Sequence, residues 1–353
     1  MQPRIAVYSP AKSPDDPNPS GERTIVRHLL TALRLAGYAP EVPSDLRLLE
    51  VDGDSERQTA LATQAAAEAS RLIEHYRHAP PDLWYTYHCY YKCPDLIGPV
   101  VSKALGIPYI IQQPSLSPRR EIGPWAGFAK ACHEAISTAD LLFWTTHRDL
   151  GALEDAGLAA KLVRLPPIVT ANATPRHLPS RSPLNLLTVA MMRTGDKLES
   201  YRRLAAGLER LDAPWRLRVV GDGPAQEEVH WLFRAFGDAV TWLGALSHDD
   251  IEEEYASADI LVWPGVGEGI GMVYLEAQGA GVPVVAEDHP AQRDVVVGRL
   301  TSPGNPVDFA ARIRAVAAER ESQSRTARAR IMARHTPGAV SGILRNELGR
   351  LIK

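Results

Sequence analysis

Apolar and polar positions follow two rhythms along the first half of the chain. Ile5 to Ser9 is a short apolar run. A proline-rich polar loop follows from Pro10 to Pro19 and ends in Ser20-Gly21. From Glu22 to Leu35 the apolar residues Ile25, Leu29, Leu30 and Leu33 recur at helical spacing. A polar connection leads to an Ala-rich helix from Gln58 to Tyr76. Leu83 to Tyr87 reads as a buried strand, Leu96 to Leu105 as a helix, and Tyr109 to Gln112 and Leu141 to Thr145 as strands. Repeated alternation of strand and helix predicts a parallel sheet with helices on both faces.

The pattern stops between Thr170 and Pro183, where Pro175, Pro179 and Pro183 stand among few apolar residues. That stretch is the expected interdomain linker. The alternation then restarts. Leu186 to Ala190, Leu217 to Val220, Val240 to Leu243, Ile260 to Trp263 and Val282 to Ala286 are strand candidates separated by helical segments. The tail reads as helical, from Val307 to Ala318, Ser324 to Arg334 and Ala339 to Ile352. At 353 residues the chain is too long for one ordinary core. The expected domains are residues 1–172 and 180–335, each doubly wound. Two such domains facing each other leave a cleft at the carboxyl ends of both sheets, where ligands bind.

Composition narrows the function classes. The net charge of −3 gives no concentrated basic surface for nucleic acid and no strong attraction to anionic lipid. The apolar stretch from Leu96 to Ile111 is broken by Lys103 and Pro108, so peripheral membrane contact is the most to expect. Arg4 close behind Met1 does not fit a signal peptide. Three cysteines, Cys89, Cys93 and Cys132, make no disulfide framework. The expected location is the reduced cytoplasm.

The candidate chemistry lies in the second half. Trp263-Pro264 ends a strand, and Gly265-Val266-Gly267-Glu268-Gly269-Ile270-Gly271-Met272 leads into a helix that carries Glu276. Glycines let backbone approach a ligand closely, and a helix N-terminus stabilises phosphate without a metal. Glu268 in the loop and Glu276 in the helix can each grip vicinal hydroxyls. As a bare spacing, two glutamates in a surface loop and an ordinary helix are equally ordinary as solvated groups.

In this setting the segment resembles the Glu-x7-Glu motif of retaining GT-B glycosyltransferases of the family-4 type, the kind grouped with sucrose synthase and GDP-mannose-dependent mannosyltransferases. The resemblance is strongest over residues 184–287. It implies the GT-B fold, two Rossmann-like doubly wound domains facing across a cleft, with the terminal helix of residues 336–353 crossing back onto the first domain. It implies a nucleotide-sugar donor as substrate, no cofactor, no metal, and transfer to a hydroxyl with retention. Glu268 would contact the donor sugar and Glu276 the ribose, with Gly269, Ile270, Gly271 and Met272 beside the ligand. Val189 to Lys197 resembles the family's strand-Arg-Lys segment, so Arg193 and Lys197 would neutralise the departing diphosphate. Val219 to Pro224 resembles the loop whose Gly221 and Gly223 border the nucleotide; a tight turn explains those glycines as well. Trp242 to Leu246 matches the segment whose backbone faces the base, which brings in Leu246.

In the first half, Ser20-Gly21 looks like the family's glycine loop near the donor phosphates, with Ser20 in place of a first glycine. The polar loop before it, with Lys12, Asp15, Asp16 and Asn18, reads either as acceptor lining or as a mobile lid. Relatives commonly carry a histidine after the strand that follows Gly106-Ile107-Pro108. Here Gln112-Gln113-Pro114-Ser115 stands there. His88 is the nearest substitute, and Gln113 can donate or accept to the sugar. Asp52-Gly53-Asp54 mimics a metal-binding Asp-x-Asp but precedes a helix, where acidic residues are favoured anyway. His88, Cys89 and Cys93 lack a fourth zinc ligand at the usual spacing. Gly221-Asp222-Gly223 lacks the third glycine of a dinucleotide fingerprint. Two other functions stay open at this level, a nucleotide-sugar 2-epimerase-like isomerase and a non-catalytic nucleotide-sugar-binding subunit. The acceptor is a saccharide, a lipid-linked or a small-molecule hydroxyl, and the donor base and sugar are not encoded legibly.

Overall fold

A computed structural model describes residues 2–17, 20–171 and 182–352. Residues 172–181 of the expected linker, and Asn18 and Pro19 of the first loop, lie outside the described residues. The chain divides into two compact units, Met1–Ile168 with Pro337–Lys353, and Val169–Thr336.

Unit 1 alternates strands and helices in chain order: β1 (Arg4–Tyr8), α1 (Gly21–Leu35), β2 (Ala39–Glu41), α2 (Ser55–Tyr76), β3 (Leu83–Cys89), α3 (Gly98–Leu105), β4 (Tyr109–Pro114), α4 (Ala126–Thr138), β5 (Leu141–Trp144), α5 (His147–Asp155) and β6 (Leu162–Arg164). Among the described residues the strands form one sheet in the order β2-β1-β3-β4-β5-β6, and every pair is parallel. The chain leaves β1 for β2 on one side and returns to β3 on the other. β2 occupies part of the stretch expected to be a polar connection. Its three residues, Ala39-Pro40-Glu41, are all half-buried, and a proline fits an edge strand. Glu41 accepts from Arg4 Nη2 at 2.9 Å and from the Tyr76 hydroxyl at 2.7 Å, so polar contacts hold this edge.

The interior of unit 1 is largely apolar, with the Asp95 carboxylate set into it. Asp95 is buried. It accepts from the hydroxyls of Thr86 at 2.5 Å and Tyr109 at 2.8 Å, and from the amides of Ile97 at 2.9 Å and Gly98 at 2.8 Å. Trp84 Nε1 in turn donates to Thr86 Oγ1 at 3.0 Å. Burial raises the Asp95 pKa, and these four donors oppose the rise. The carboxylate ties β3, β4 and the first turn of α3 together. The Asp-x-Asp lookalike has a local role: Asp54 caps α2 by accepting from the amides of Glu56 at 2.9 Å and Arg57 at 3.1 Å.

Unit 2 continues with β7 (Leu184–Val189), α6 (Asp196–Glu209), β8 (Trp215–Val220), α7 (Gln226–Phe233), β9 (Val240–Gly244), α8 (His248–Ser257), β10 (Ile260–Val262), α9 (Met272–Gly279), β11 (Val284–Val285), α10 (Pro290–Val295), α11 (Pro306–Ala318) and α12 (Arg320–Arg334). Its strands run parallel in the order β11-β10-β7-β8-β9. The chain therefore builds outward from β7 through β8 to β9, then crosses to the opposite side of β7 for β10. Asp259, just before β10, accepts from the Asn185 amide at 2.9 Å and pairs with Arg320, which fixes the start of α12 to this sheet.

The last helix, α13 (Pro337–Gly349), belongs to unit 1. Val340, Leu344 and Leu348 line its buried face at helical spacing. Arg345 donates to the carbonyls of Ala36 at 3.1 Å and Leu35 at 3.0 Å, satisfying acceptors at the end of α1. Among the described residues no helix is long and apolar enough to cross a membrane.

Asp95→Ala strands four buried donors at once. It should lower the stability of unit 1 by about 3–5 kcal/mol, whereas Asp95→Asn, which keeps an acceptor for the two amides, should cost less. Urea unfolding of both variants, followed by tryptophan fluorescence, checks the order. Equal losses, or a loss below that of an ordinary surface change, would contradict the role assigned to this carboxylate.

Candidate functional site

The strand order of each unit marks one place on its carboxyl edge where successive connections depart in opposite directions. Open parallel sheets bind ligands at such switch points. In unit 2 this place lies between β7 and β10, and in unit 1 between β1 and β3.

At the unit 2 switch point the loops are built on backbone. The Met192 amide donates to the Asp222 carbonyl at 2.6 Å, the Ala225 amide to the Met192 carbonyl at 2.9 Å, and the Gly221 amide to the Gly244 carbonyl at 2.7 Å. Gly221 and Gly223 have φ of 129° and 145°. A Cβ on either would collide with the carbonyl of Ala190 or Met192. Both glycines thus have a packing reason to be glycine, because two loop backbones lie directly against each other. Leu246 lies beyond β9, beside Ser247, whose hydroxyl caps α8 by accepting from the Asp250 amide at 3.2 Å.

The loop from Pro264 to Gly271 is held from beneath and from the side. Gln292 Nε2 donates to the Gly265 carbonyl at 2.6 Å. The Val266 amide donates to Ser200 Oγ at 2.9 Å, and a Cβ on Gly267 would meet Asp196. Gly271, at φ 77°, caps α9, and Met272 is its first residue. Ile270 is buried, while Gly269 and Met272 are half-buried. The Tyr274 hydroxyl donates to the Trp263 carbonyl at 3.1 Å. Its burial, and then the nearby charge of Glu268, push its pKa well up, so it remains a neutral donor.

The charged residues meet here. Lys197 is in the first turn of α6 and pairs with Glu268 Oε1; their side chains are 25% and 13% exposed. Trp263 Nε1 donates to the same oxygen at 2.9 Å, and Lys197 Nζ lies 5.5 Å from the centre of the Trp263 ring. The lysine and glutamate assigned to separate parts of a donor are thus partners in this structure. Arg193, four residues before Lys197, is exposed, and its guanidinium has no hydrogen bond or ion pair among the described residues. Glu276 is half-buried in α9 and accepts from the Tyr255 hydroxyl at 3.1 Å. Burial, and then the Glu276 charge, push Tyr255 well up, which keeps its proton available for that bond. Trp263 and Tyr255 are the partners that sequence inspection missed. Trp263 was visible as a polar-tipped aromatic at a strand end; nothing marked Tyr255.

In unit 1, Ser20 caps α1 by accepting from the Arg23 amide at 3.2 Å, and Gly21 opens the helix. Glu22, the second residue of α1, has its Oε1 2.9 Å from Nδ1 of His88, at the end of β3. His88 and Gln113 both have positive φ, 63° and 56°, which is strained for residues with a Cβ. The Tyr87 hydroxyl donates to Gln113 Oε1 at 3.0 Å. Burial, and then the Glu22 charge, keep Tyr87 protonated. Cys89, Cys93 and Cys132 are buried, with Cys89 Sγ 3.7 Å from Cys132 Sγ. The polar loop of the first domain is pinned where it is described. Arg27 Nε donates to the Pro14 carbonyl at 2.8 Å, Arg23 Nη1 to the Asp16 carbonyl at 2.8 Å, and Arg47 Nε to the Ala11 carbonyl at 3.0 Å. Three guanidiniums on backbone carbonyls argue against a mobile lid over residues 11–16.

Comparison with known proteins agrees with the second unit's features. Residues 184–319, less than half of the chain, match the model of the family described as glycosyl transferases group 1. The chain is 33% identical over 115 residues to sulfoquinovosyl transferase SQD2 of Arabidopsis thaliana, covering 31% of this chain and 22% of that protein. It is 36% identical over 142 residues to D-inositol 3-phosphate glycosyltransferase of Geodermatophilus obscurus, covering 37% and 32%. Over 79 residues it is 40% identical to a GDP-mannose-dependent phosphatidylinositol monomannoside mannosyltransferase of Mycobacterium tuberculosis, covering 20% of each. These matches span 32% or less of each relative's length. Solved structures match over the whole chain. Sucrose-phosphate synthase from Thermosynechococcus elongatus has a TM-score of 0.75 at 18% identity, covering 99% of this chain and 98% of that one. Anabaena HepE in complex with UDP and glucose has a TM-score of 0.69 at 16% identity, covering 99% and 100%. At such identities the likeness establishes the fold. Residues 184–319 match the glycosyl transferases group 1 family, and the chain as a whole has the GT-B fold of two Rossmann-like domains.

Proposed function

We propose that the chain transfers a sugar from a nucleoside diphosphate sugar to a hydroxyl acceptor, with retention of configuration and without a metal. Unit 2 takes the donor and unit 1 the acceptor. The observation that carries this reading is the Lys197–Glu268–Trp263 group at the switch point of the domain matched by glycosyl transferases group 1. Relatives named for GDP-mannose and a neighbour solved with UDP and glucose support a nucleotide-sugar donor.

The chemistry follows from charge. As the glycosidic bond breaks, negative charge develops on the departing diphosphate. Fixed cations that face this charge lower the barrier. Arg193 offers a planar fork of donors for phosphate oxygens. Lys197 offers a point charge that exchanges part of its contact with Glu268 for phosphate. That exchange frees Glu268 to accept from the sugar's hydroxyls, while the Trp263 N–H keeps the carboxylate in place. Glu276, anchored by Tyr255, accepts from the ribose hydroxyls. The backbone of Gly269, Ile270, Gly271 and Met272, leading into α9, lies beside the same anion in this reading. His88 and Gln113 serve the hydroxyl-bearing partner in unit 1, and Gly21 is assigned to the phosphates only by the likeness of Ser20-Gly21 to the family's glycine loop.

Transfer should persist in excess EDTA, measured as release of UDP or GDP from UDP-glucose or GDP-mannose. Loss of activity with EDTA and recovery with Mg²⁺ or Mn²⁺ would contradict cation-only stabilisation.

Arg193→Ala should lower turnover by about a hundredfold or more while changing stability by roughly 0.5 kcal/mol or less, because its guanidinium faces solvent. Lys197→Ala should slow transfer comparably. It should also cost some stability, since it leaves the half-buried Glu268 with only the Trp263 N–H among the partners described. Steady-state rates and thermal melts of both variants separate the two effects. Wild-type turnover in both would remove the phosphate-binding assignment.

The two glutamates should differ in what they bind. Glu276→Ala should weaken both nucleoside diphosphate and intact donor by roughly 1.5–3 kcal/mol, the scale of hydrogen bonds to a charged group. Glu268→Ala should weaken intact donor or slow transfer but leave nucleoside diphosphate affinity nearly unchanged. Calorimetry with UDP, GDP, UDP-glucose and GDP-mannose on both folded variants reads this directly. Equal weakening of the nucleoside diphosphate by the two variants would refute the division.

A further inference from the structure

We propose that Glu22 is a positioning residue. It holds the His88 ring in the tautomer protonated at Nδ1, so that Nε2 offers a lone pair to the attacking hydroxyl of the acceptor. This rests on the reading that unit 1 takes the acceptor, and it adds the group that makes His88 able to orient a hydroxyl.

The geometry begins at the switch point of the unit 1 sheet. β1 and β3 are neighbours, and the connections that leave them bring the first turn of α1 against the end of β3. Glu22, the second residue of α1, therefore reaches His88 across 66 residues of sequence, with Oε1 2.9 Å from Nδ1. An ionised carboxylate only accepts hydrogen bonds, and neutral imidazole carries one N–H. A 2.9 Å contact between them puts that proton on Nδ1. Nε2 is then an acceptor, and it has no hydrogen bond among the described residues. Glu22 Oε2 is buried without a partner among the described residues, so the bond to His88 is the contact that orients this carboxylate.

Two further features fix the ring. Tyr90 stacks on it with centroids 4.5 Å apart and planes 11° apart, which removes rotation about the last side-chain bond. The backbone of His88 sits at φ 63°, and Gln113, at the end of the adjacent β4, sits at φ 56°. Two side-chain-bearing residues in the left-handed region at neighbouring strand ends represent strain of order 1–3 kcal/mol each. A structural histidine needs no such backbone. A histidine that must present one nitrogen at the carboxyl edge gains a fixed direction from it. Buried oxygens without partners among the described residues, Ser9 Oγ just past β1 and Thr145 Oγ1 just past β5, lie along the same edge. An edge of this kind, acceptor nitrogen beside amide and hydroxyl groups, suits a polyhydroxylated ligand. A purely apolar acceptor would leave these groups unpaired.

The test reads the ring itself. Two-bond ¹H–¹⁵N spectra of the full ¹⁵N-labelled chain report the tautomer of each neutral histidine, and His88 is assigned by the signals lost in His88→Gln. The wild-type ring should be protonated at Nδ1. Glu22→Ala should shift it toward the Nε2-protonated form, which is the commoner state of an unassisted imidazole. Glu22→Gln should retain the Nδ1 proton, because an amide oxygen also accepts. A wild-type ring protonated at Nε2, or a tautomer indifferent to Glu22→Ala, overturns the proposal. The kinetic arm uses UDP-glucose and GDP-mannose with myo-inositol and D-glucose as hydroxyl probes. Glu22→Ala should lower kcat by about tenfold or more, and Glu22→Gln should restore most of it. Wild-type kcat in Glu22→Ala overturns the positioning role even if the tautomer shifts. Wild-type protein that releases no nucleoside diphosphate with any pair counts against the transferase reading, while the spectra still decide whether Glu22 sets the ring.

Discussion

Parallel strand pairing is the constraint on which the candidate chemistry depends. A strand that must be followed by another running the same way sends its connection over a face of the sheet, so every loop that leaves a carboxyl end lies along one edge. Where the next connection goes to the opposite side, the two loops part and the side chains after neighbouring strands meet in the gap. Unit 2 does this between β7 and β10, and so brings Lys197 to Glu268 across 71 residues of sequence. Unit 1 does it between β1 and β3, and so brings Glu22 to His88 across 66. The same topological rule, applied twice in different strand orders, yields a polar pair in each unit.

The pairs are held by different means, and the difference has chemical content. Glu268 is shared between a flexible ammonium and a rigid indole N–H. An ammonium on a four-carbon stem can move to a new anion while the indole cannot, so the carboxylate keeps its place when its countercharge moves. Glu276 is held by a buried phenol that stays neutral, and it has no such exchange to make with Tyr255. The Lys197–Glu268 contact can therefore respond to an added anion in a way that the Tyr255–Glu276 hydrogen bond cannot.

Most of the architecture is legible in the sequence because apolar runs alternate with helical periodicity at the right lengths, and buried parallel strands are nearly all apolar. The exceptions have physical causes. β2 is an edge strand of Ala39-Pro40-Glu41, held by Arg4 and Tyr76, and edge strands need no apolar run. β6, also three residues long, is likewise at an edge. Glu268, Glu276, Arg193 and Lys197 are legible as a spaced set around glycines. Their partners are not, since Trp263, Tyr255 and Glu22 matter only through contacts that the fold makes. Lys197 is the instructive residue. Its place in a strand-Arg-Lys segment gives no sign of a partner, yet α6 already begins at Asp196, and the first helical turn brings Lys197 onto Glu268. Gly221 and Gly223 show the converse: a pattern consistent with ligand approach is sufficiently explained by two backbones in contact.

The glycine-rich loop shows how rigidity and access are combined. Close backbone approach to a ligand requires residues without side chains, yet glycines lose the most conformational freedom on ordering. A loop with Gly265, Gly267, Gly269 and Gly271 would be poorly defined if left to itself. Here the amide of Gln292, the hydroxyl of Ser200 and the ring of Tyr274 reach it from α10, α6 and α9, each from a packed helix. Side chains beneath the loop supply the order that its own residues lack, and its outer face keeps the bare backbone. Gln292 is fully buried, and one of its amide atoms has no partner among the described residues, so its place is set by the loop it supports. The glycine-rich loop and the helices behind it have to be read as one unit, because the loop takes its shape from their side chains.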